Sequence, residues 1–186
     1  MNYEKLCITS SSALVAAVKL EDNSIAIYYS LNLGEEWNLV DTISGYDSVG
    51  HVEEIEWDSQ SYLLIGMAGG NGKGDILKVN MSVEGLPVSG FSLVFDSQYT
   101  DNGPSKIHQI IQLSNGKILA ACETQEAFRR SENITLLMVS EDGGETWNGI
   151  LERGGESQEN KAKSIQEFQD VDGAFISVIT QSDISS

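Results

Sequence analysis

The feature that most constrains this chain is a recurrence. Short apolar runs rich in Ile, Val, Leu and Tyr, broken by Gly, Asn, Asp and Ser, fall into sets of four. The first set is EKLCITS, ALVAAVKL, SIAIYYS and WNLVDTI; the second is HVEEIEW, YLLIGMA, DILKVNM and FSLVFDS. The third is KIHQIIQL, KILAACE, ITLLMVS and WNGILER, and a fourth opens with AKSIQEF and AFISVIT. Runs of this length without a helical period read as strands. The second members, LVAAVKL, YLLIGMA, KILAACE and AFISVIT, are apolar on both faces, as strands covered by neighbouring sheets are. Equivalent points Tyr62, Lys117 and Ala174 lie 55 and 57 residues apart. A four-stranded unit repeated at that period predicts an all-β fold, and favours a β-propeller of four-stranded antiparallel blades over a β-sandwich. The blades are expected at about residues 1–44, 51–97 and 106–153, with a partial one at 162–186, in a single domain or part of one.

Charge narrows the partners. Eleven basic against 28 acidic residues leave a net charge of −17, spread along the chain with no Lys/Arg cluster to offset it. Such a field repels nucleic acid and anionic membrane surfaces. Cys7 and Cys122 are too few for a disulfide framework and sit in apolar runs, so buried thiols are expected. The N-terminal MNYEKLCITS has no basic region followed by an apolar core, so it does not read as a secretory signal. No apolar run approaches the ~18 residues of a membrane helix, so a soluble chain is expected and its compartment stays open.

One short pattern occurs twice. Residues 140–150 read SEDGGETWNGI and residues 30–40 read SLNLGEEWNLV, which aligns Ser30, Asn32, Gly34 and Trp37 with Ser140, Asp142, Gly144 and Trp147. Each lies between a third and a fourth strand, where a turn leaves backbone N–H groups without ladder partners. A side-chain oxygen at Asn32 or Asp142 can accept them. Gly34 and Gly144 can supply a positive φ. Trp37 and Trp147 would bury a large ring, worth roughly 2–3 kcal/mol each. In the second unit, MSVEGLPV keeps only Gly85, with Met81 in the serine position and Val88 in the tryptophan position.

The pattern Ser-x-Asp-x-Gly-x-Thr-Trp resembles the Asp-box, or BNR repeat, of sialidases and related β-propellers. Ser140, Asp142, Gly144, Thr146 and Trp147 match it in full; Ser30, Asn32, Gly34 and Trp37 match with Asn for Asp and Glu36 for Thr. The resemblance implies a structural hairpin staple rather than a catalytic group.

If the blades are antiparallel, the first-to-second and third-to-fourth turns share one end, and the longer loops share the other. Long loops on a rigid scaffold are where binding concentrates. The candidate ligand-binding residues there are Tyr46, Asp47, His51, Tyr99, Asp101, Asn102, Glu126, Arg129 and Arg130. His51 and His108 fall near the starts of first strands, which places them near the mouth of a central channel. No further His and no nearby Cys accompany them, so no metal is expected.

No cofactor is expected. GGNGKGD at residue 69 lacks the first Gly and the Ser/Thr of a phosphate loop and lies between strands. DVDG and EDGG lack the remaining ligands of a calcium loop. Asn80-Met81-Ser82 and Asn133-Ile134-Thr135 have the form of glycosylation acceptors, meaningful only in a secreted eukaryotic protein.

If the resemblance extended to sialidase activity, it would imply three arginines on separate blades, one of them in an Arg-Ile-Pro motif. The chain has only Arg129, Arg130 and Arg153, two of them adjacent, and no Arg-Ile-Pro. A carboxylate sugar needs such guanidinium partners, so no catalytic residue is assigned.

The expected role is a non-catalytic binding or assembly module whose partner is a glycan or a protein, for example a surface or viral structural component. The alternative is a portion of a sialidase-like glycoside hydrolase with its catalytic residues outside this chain. Three blades and two strands leave a raw edge. It can be met by a longer propeller, the leading expectation, by an irregular four-blade ring, or by a homo-oligomer.

Overall fold

The structure, a computed structural model, describes residues 3–69, 74–82, 84–97, 104–124, 133–154, 160–170 and 173–182. All the regular elements among them are β-strands, and every pairing is antiparallel. The first unit comprises β1 (Tyr3–Ile8), β2 (Leu14–Lys19), β3 (Ile25–Ser30) and β4 (Asn38–Ile43), hydrogen-bonded in chain order. The second comprises β5 (Ser48–Trp57), β6 (Gln60–Ala68), β7 (Ile76–Asn80) and β8 (Ser92–Phe95). The third comprises β9 (Lys106–Gln112), β10 (Ile118–Thr124), β11 (Asn133–Ser140) and β12 (Asn148–Gly154), followed by the hairpin β13 (Asn160–Asp170) and β14 (Gly173–Ser182). β5 begins at Ser48, three residues before the run that marked it in the sequence.

The units join at narrow seams. One pair, Ala68 with Lys106, links β6 to β9, and two pairs, Glu123 with Lys161 and Thr124 with Asn160, link β10 to β13. The first strands lie in succession, β5 between β1 and β9, and β13 against β9. A repeated device bridges them. Glu4 accepts the Val49 N–H at 2.7 Å, His51 Nδ1 accepts the Ile110 N–H at 3.2 Å, and Gln109 accepts the Ile165 N–H at 2.7 Å. Buried amides that a ladder would otherwise satisfy are met by side chains of the preceding unit. At Gly50 an added Cβ would overlap the Ile107 carbonyl, so only glycine lets β5 and β9 approach this closely.

Three apolar clusters fill the spaces between successive units. Val15, Ala17, Ile25 and Ile27 of the first meet Leu63, Ile65 and Met67 of the second. Ile55, Leu64 and Ile76 meet Ile107, Ile110, Ile118, Ala120 and Cys122 of the third. Leu119, Ala121, Leu136 and Leu137 meet Ala162 and Ile165 of β13. Alternation explains the sequence: Leu63 and Ile65 of β6 face the first unit and Leu64 the third, while β10 turns Ala120 one way and Leu119 and Ala121 the other. A strand between two neighbours is therefore apolar throughout.

Candidate functional site

The two repeated turns have nearly the same hydrogen bonds. Ser30 Oγ donates to Asn32 Oδ1 at 3.0 Å and accepts the Gly34 N–H at 2.9 Å, and Asn32 Oδ1 accepts the Glu36 N–H at 2.9 Å. Ser140 Oγ donates to Asp142 at 2.8 Å and accepts the Gly144 N–H at 2.9 Å, and Asp142 accepts the Thr146 N–H at 2.9 Å together with the Thr146 hydroxyl. Gly34 and Gly144 have φ of +91° and +87°, and the residues before them, Leu33 and Gly143, are also left-handed at +56° and +71°. The Trp37 ring lies against Gly34, while Trp147 donates its Nε1–H to the Gly144 carbonyl at 3.0 Å and packs on the second cluster.

The second unit makes a shorter version one residue out of register. Ser82, not Met81, supplies the hydroxyl, accepting the Glu84 and Leu86 N–H groups at 3.3 and 3.2 Å. Met81 is buried in the first cluster. The hydroxyl, rather than the Asx oxygen, is therefore common to all three turns.

Burial opposes ionisation of Asp142, but the hydrogen bonds from Thr146 and Ser140 outweigh it and hold the carboxyl below its ordinary value. Buried Lys78 of β7 reaches across to this turn, donating to the Gly143 carbonyl at 2.8 Å and to Glu145 at 2.6 Å, with its ammonium 3.8 Å from the Tyr62 ring centre. The turn end also holds the first-to-second hairpins. Glu54 accepts the Ser10 N–H and hydroxyl, and Glu167 accepts the Ser114 N–H and hydroxyl at 2.8 and 2.7 Å. Two broad depressions lie here, of about 670 and 620 Å³. Ser10, Ser82, Ser114 and Glu167 on their walls are already engaged in turn closure.

On the loop end a smaller cleft of about 240 Å³ is lined by Asp47, Ser48, Ala68, Gly69, Ser105, Lys106 and Glu123. Asp47 is fixed by its backbone: its N–H donates to Ala68 at 2.8 Å, and its carbonyl accepts Lys19 Nζ at 2.6 Å. Tyr46 turns inward, donating its hydroxyl to buried Asp75 at 2.8 Å, while Asp75 also accepts the Ser97 N–H at 2.9 Å. Burial, then this carboxylate, raise the Tyr46 pKa far above its ordinary value, so Tyr46 stays neutral and serves as a brace. Glu123 sits 2.7 Å from His108 Nε2 and 3.4 Å from Lys163 Nζ, which itself lies 3.1 Å from the same imidazole nitrogen. Burial lowers the His108 pKa and Glu123 opposes this without reversing it; the Lys163 and Lys106 charges add to the lowering. Lys163 thus places a cation 3.4 Å from the Glu123 carboxyl.

Of the sequence candidates, Asp47 lines the cleft and His108 stands behind it through Glu123. His51 is held in the scaffold by the Ile110 amide, and burial, with Lys5 nearby, pushes its pKa down to about 4. Tyr46 is a brace. Tyr99, Asp101, Asn102, Glu126, Arg129 and Arg130 lie outside the described residues. Lys106, Glu123 and Lys163 were not singled out in the sequence, because each is embedded in a run read only as strand. A charge inside such a run was the available signal. Among the described residues no three His, Cys, Asp or Glu side chains gather as metal ligands. No helix among the described residues is long and apolar enough to cross a membrane.

Of the residues that line the cleft, Ser105 donates its hydroxyl to the Glu123 carbonyl at 3.0 Å and the Glu123 carboxyl is engaged by His108 and Lys163. Comparison with protein-family models and with curated proteins gives no match.

Proposed function

We propose that the chain is an Asp-box β-propeller, or a portion of one, that acts as a non-catalytic binding or assembly module through its loop end, with a glycan as the favoured partner. The propeller reading is supported by three four-stranded meanders in series, by first strands that succeed one another, and by second strands buried on both faces. The Asp-box reading is supported by the shared hydrogen bonds of residues 30–37 and 140–147.

The observation that carries the binding role is the loop-end cleft, which Asp47, Lys106 and Glu123 line. Its volume is below the ~300–1,000 Å³ of drug-sized sites, so it accommodates about one sugar ring while the rest of a glycan extends over the loops. Screening the chain and a Lys106→Ala variant on a glycan array tests this. Retention of a defined glycan class by the parent and its loss in the variant is the expected result. No retention by either would remove the glycan reading, and turnover of an aryl glycoside by the chain would favour the hydrolase alternative.

A further inference from the structure

The three seams between units share one device but use three different acceptors. The first strand of one unit offers a side chain to a backbone amide of the next first strand: Glu4 to Val49, His51 to Ile110, and Gln109 to Ile165. Acid acts on the three differently. A protonated carboxyl keeps a carbonyl oxygen that accepts, and a side-chain amide does not titrate. An imidazole accepts only through an unprotonated nitrogen, and in the imidazolium both nitrogens donate. Because the Ile110 N–H meets Nδ1 at 3.2 Å, His51 is neutral here and carries its proton on Nε2. β5 and β9 form no ladder with each other; they approach where Gly50 meets the Ile107 carbonyl, and His51 holds the amide three residues on.

We propose that His51 is an acid-released latch: protonation of Nδ1 removes the acceptor of the Ile110 amide and frees β9 from β5 at that point, while the Val49 and Ile165 amides keep theirs. Burial opposes a charge on His51 and Lys5 of β1 adds to this, so the latch stays closed down to about pH 4. Its folded pKa lies below the ordinary 6.5, so the unfolded chain takes up the proton first. The latch's contribution to stability is therefore whole above pH 6.5 and declines as pH falls through 4. The other titratable groups on the strands packed around β5 are otherwise engaged or neutral. On β1, Glu4 is on the Val49 amide and Cys7 is a thiol pushed up to about 11. On β5 itself, burial and then Glu54 push the Glu53 carboxyl up to about 7, so it is neutral before His51 titrates. Lys19 of β2 binds the Asp47 carbonyl, and β6 sets Gly66 opposite His51. On β9, His108 meets Glu123 and Lys106 lines the cleft. The isoelectric point is about 4.2, so general charge repulsion is weakest where the latch opens. Release is local, because Gln112 still binds the Glu56 backbone and Lys78 the Gly143 carbonyl at the turn end. The released seam is the one that the loop-end cleft spans, between Ser48 and Ala68 of the second unit and Lys106 and Glu123 of the third.

The test is residue-resolved amide exchange by NMR on the 186-residue chain, corrected for intrinsic rates, between pH 6.5 and about pH 3.5. Protection at Ile110 is expected to fall about tenfold over this range, with little change at Ile165. His51→Gln gives the second seam the acceptor type of the third, and its Ile110 protection is expected to lose the pH dependence. The imidazole resonances of the parent give a reading that needs no variant. They should show the Nε2–H tautomer at neutral pH and titrate with the same midpoint as the loss at Ile110. Protection at Ile110 that is unchanged by acid, or that falls together with Ile165, overturns the proposal. So does a folded His51→Gln chain that keeps the parent's pH dependence, an Nδ1–H tautomer at neutral pH, or an imidazole midpoint apart from that of the amide.

Discussion

The turns at 30–37 and 140–147 use the same hydrogen bonds in different surroundings. In the first, Leu33 takes the left-handed position with its side chain 84% exposed, and Asn32 supplies a neutral acceptor. In the second, Gly143 occupies that position because an added Cβ would run into the Trp57 ring of the neighbouring unit. There Asp142 accepts from both the amide and the hydroxyl of Thr146, and Lys78 binds the Gly143 carbonyl. The first turn closes a hairpin; the second also ties two units together. The shared serine and the second glycine are what hairpin closure requires, and the glycine at 143 and the lysine at 78 are what the junction adds.

The largest expected effect that breaks this contrast is at Gly143. Gly143→Ala combines a left-handed β-carbon with overlap on Trp57 and should cost about 2–4 kcal/mol in urea unfolding. Leu33→Gly relieves the same backbone strain without a neighbour and should gain about 0.5 kcal/mol. Next, Lys78→Met leaves the Gly143 carbonyl without its donor and Glu145 without its cation, with an expected loss of about 1–3 kcal/mol by the same measurement. Ser30→Ala and Ser140→Ala should each cost about 1 kcal/mol, nearly equal because both hydroxyls are buried and accept the same amide. Unequal losses would show that the common hydroxyl is not the common core of the turns.

The smallest effect is electrostatic. The folded pKa of Asp142 is depressed, so its contribution is present above the unfolded carboxyl value and is lost as pH falls through the folded one. Asp142→Asn makes the second turn resemble the first. Thermal midpoints should then differ little between parent and variant near pH 7, and the acid-induced decline of the parent below about pH 4 should be shallower in the variant.

Much of this arrangement was legible because it repeats. The doubly apolar second strands, the turn glycines at 34 and 144, and the Asx acceptors at 32 and 142 are each local patterns in the sequence. What escaped was long-range. Ser82 is offset by one residue from the aligned position, because the turn it closes is shorter. Lys78 reads as one polar residue inside DILKVNM, and only the stacking of units brings it to residue 143. Glu54 and Glu167, which hold hairpins of the preceding units, are indistinguishable in sequence from the other carboxylates of a chain with 28 of them. At the loop end the same limit applied: Asp47 was found in a loop, while Lys106, Glu123 and Lys163 were hidden within strands.

Under the proposed function the turn end is structural and the loop end binds, and one comparison of variants tests that division most directly. The chain, Ser140→Ala and Lys106→Ala would be applied to the same glycan array at a temperature where all three remain folded. The division predicts retention by the parent and by Ser140→Ala, and loss of that retention in Lys106→Ala. Retention that survives Lys106→Ala but fails in Ser140→Ala would contradict it and move the site to the turns.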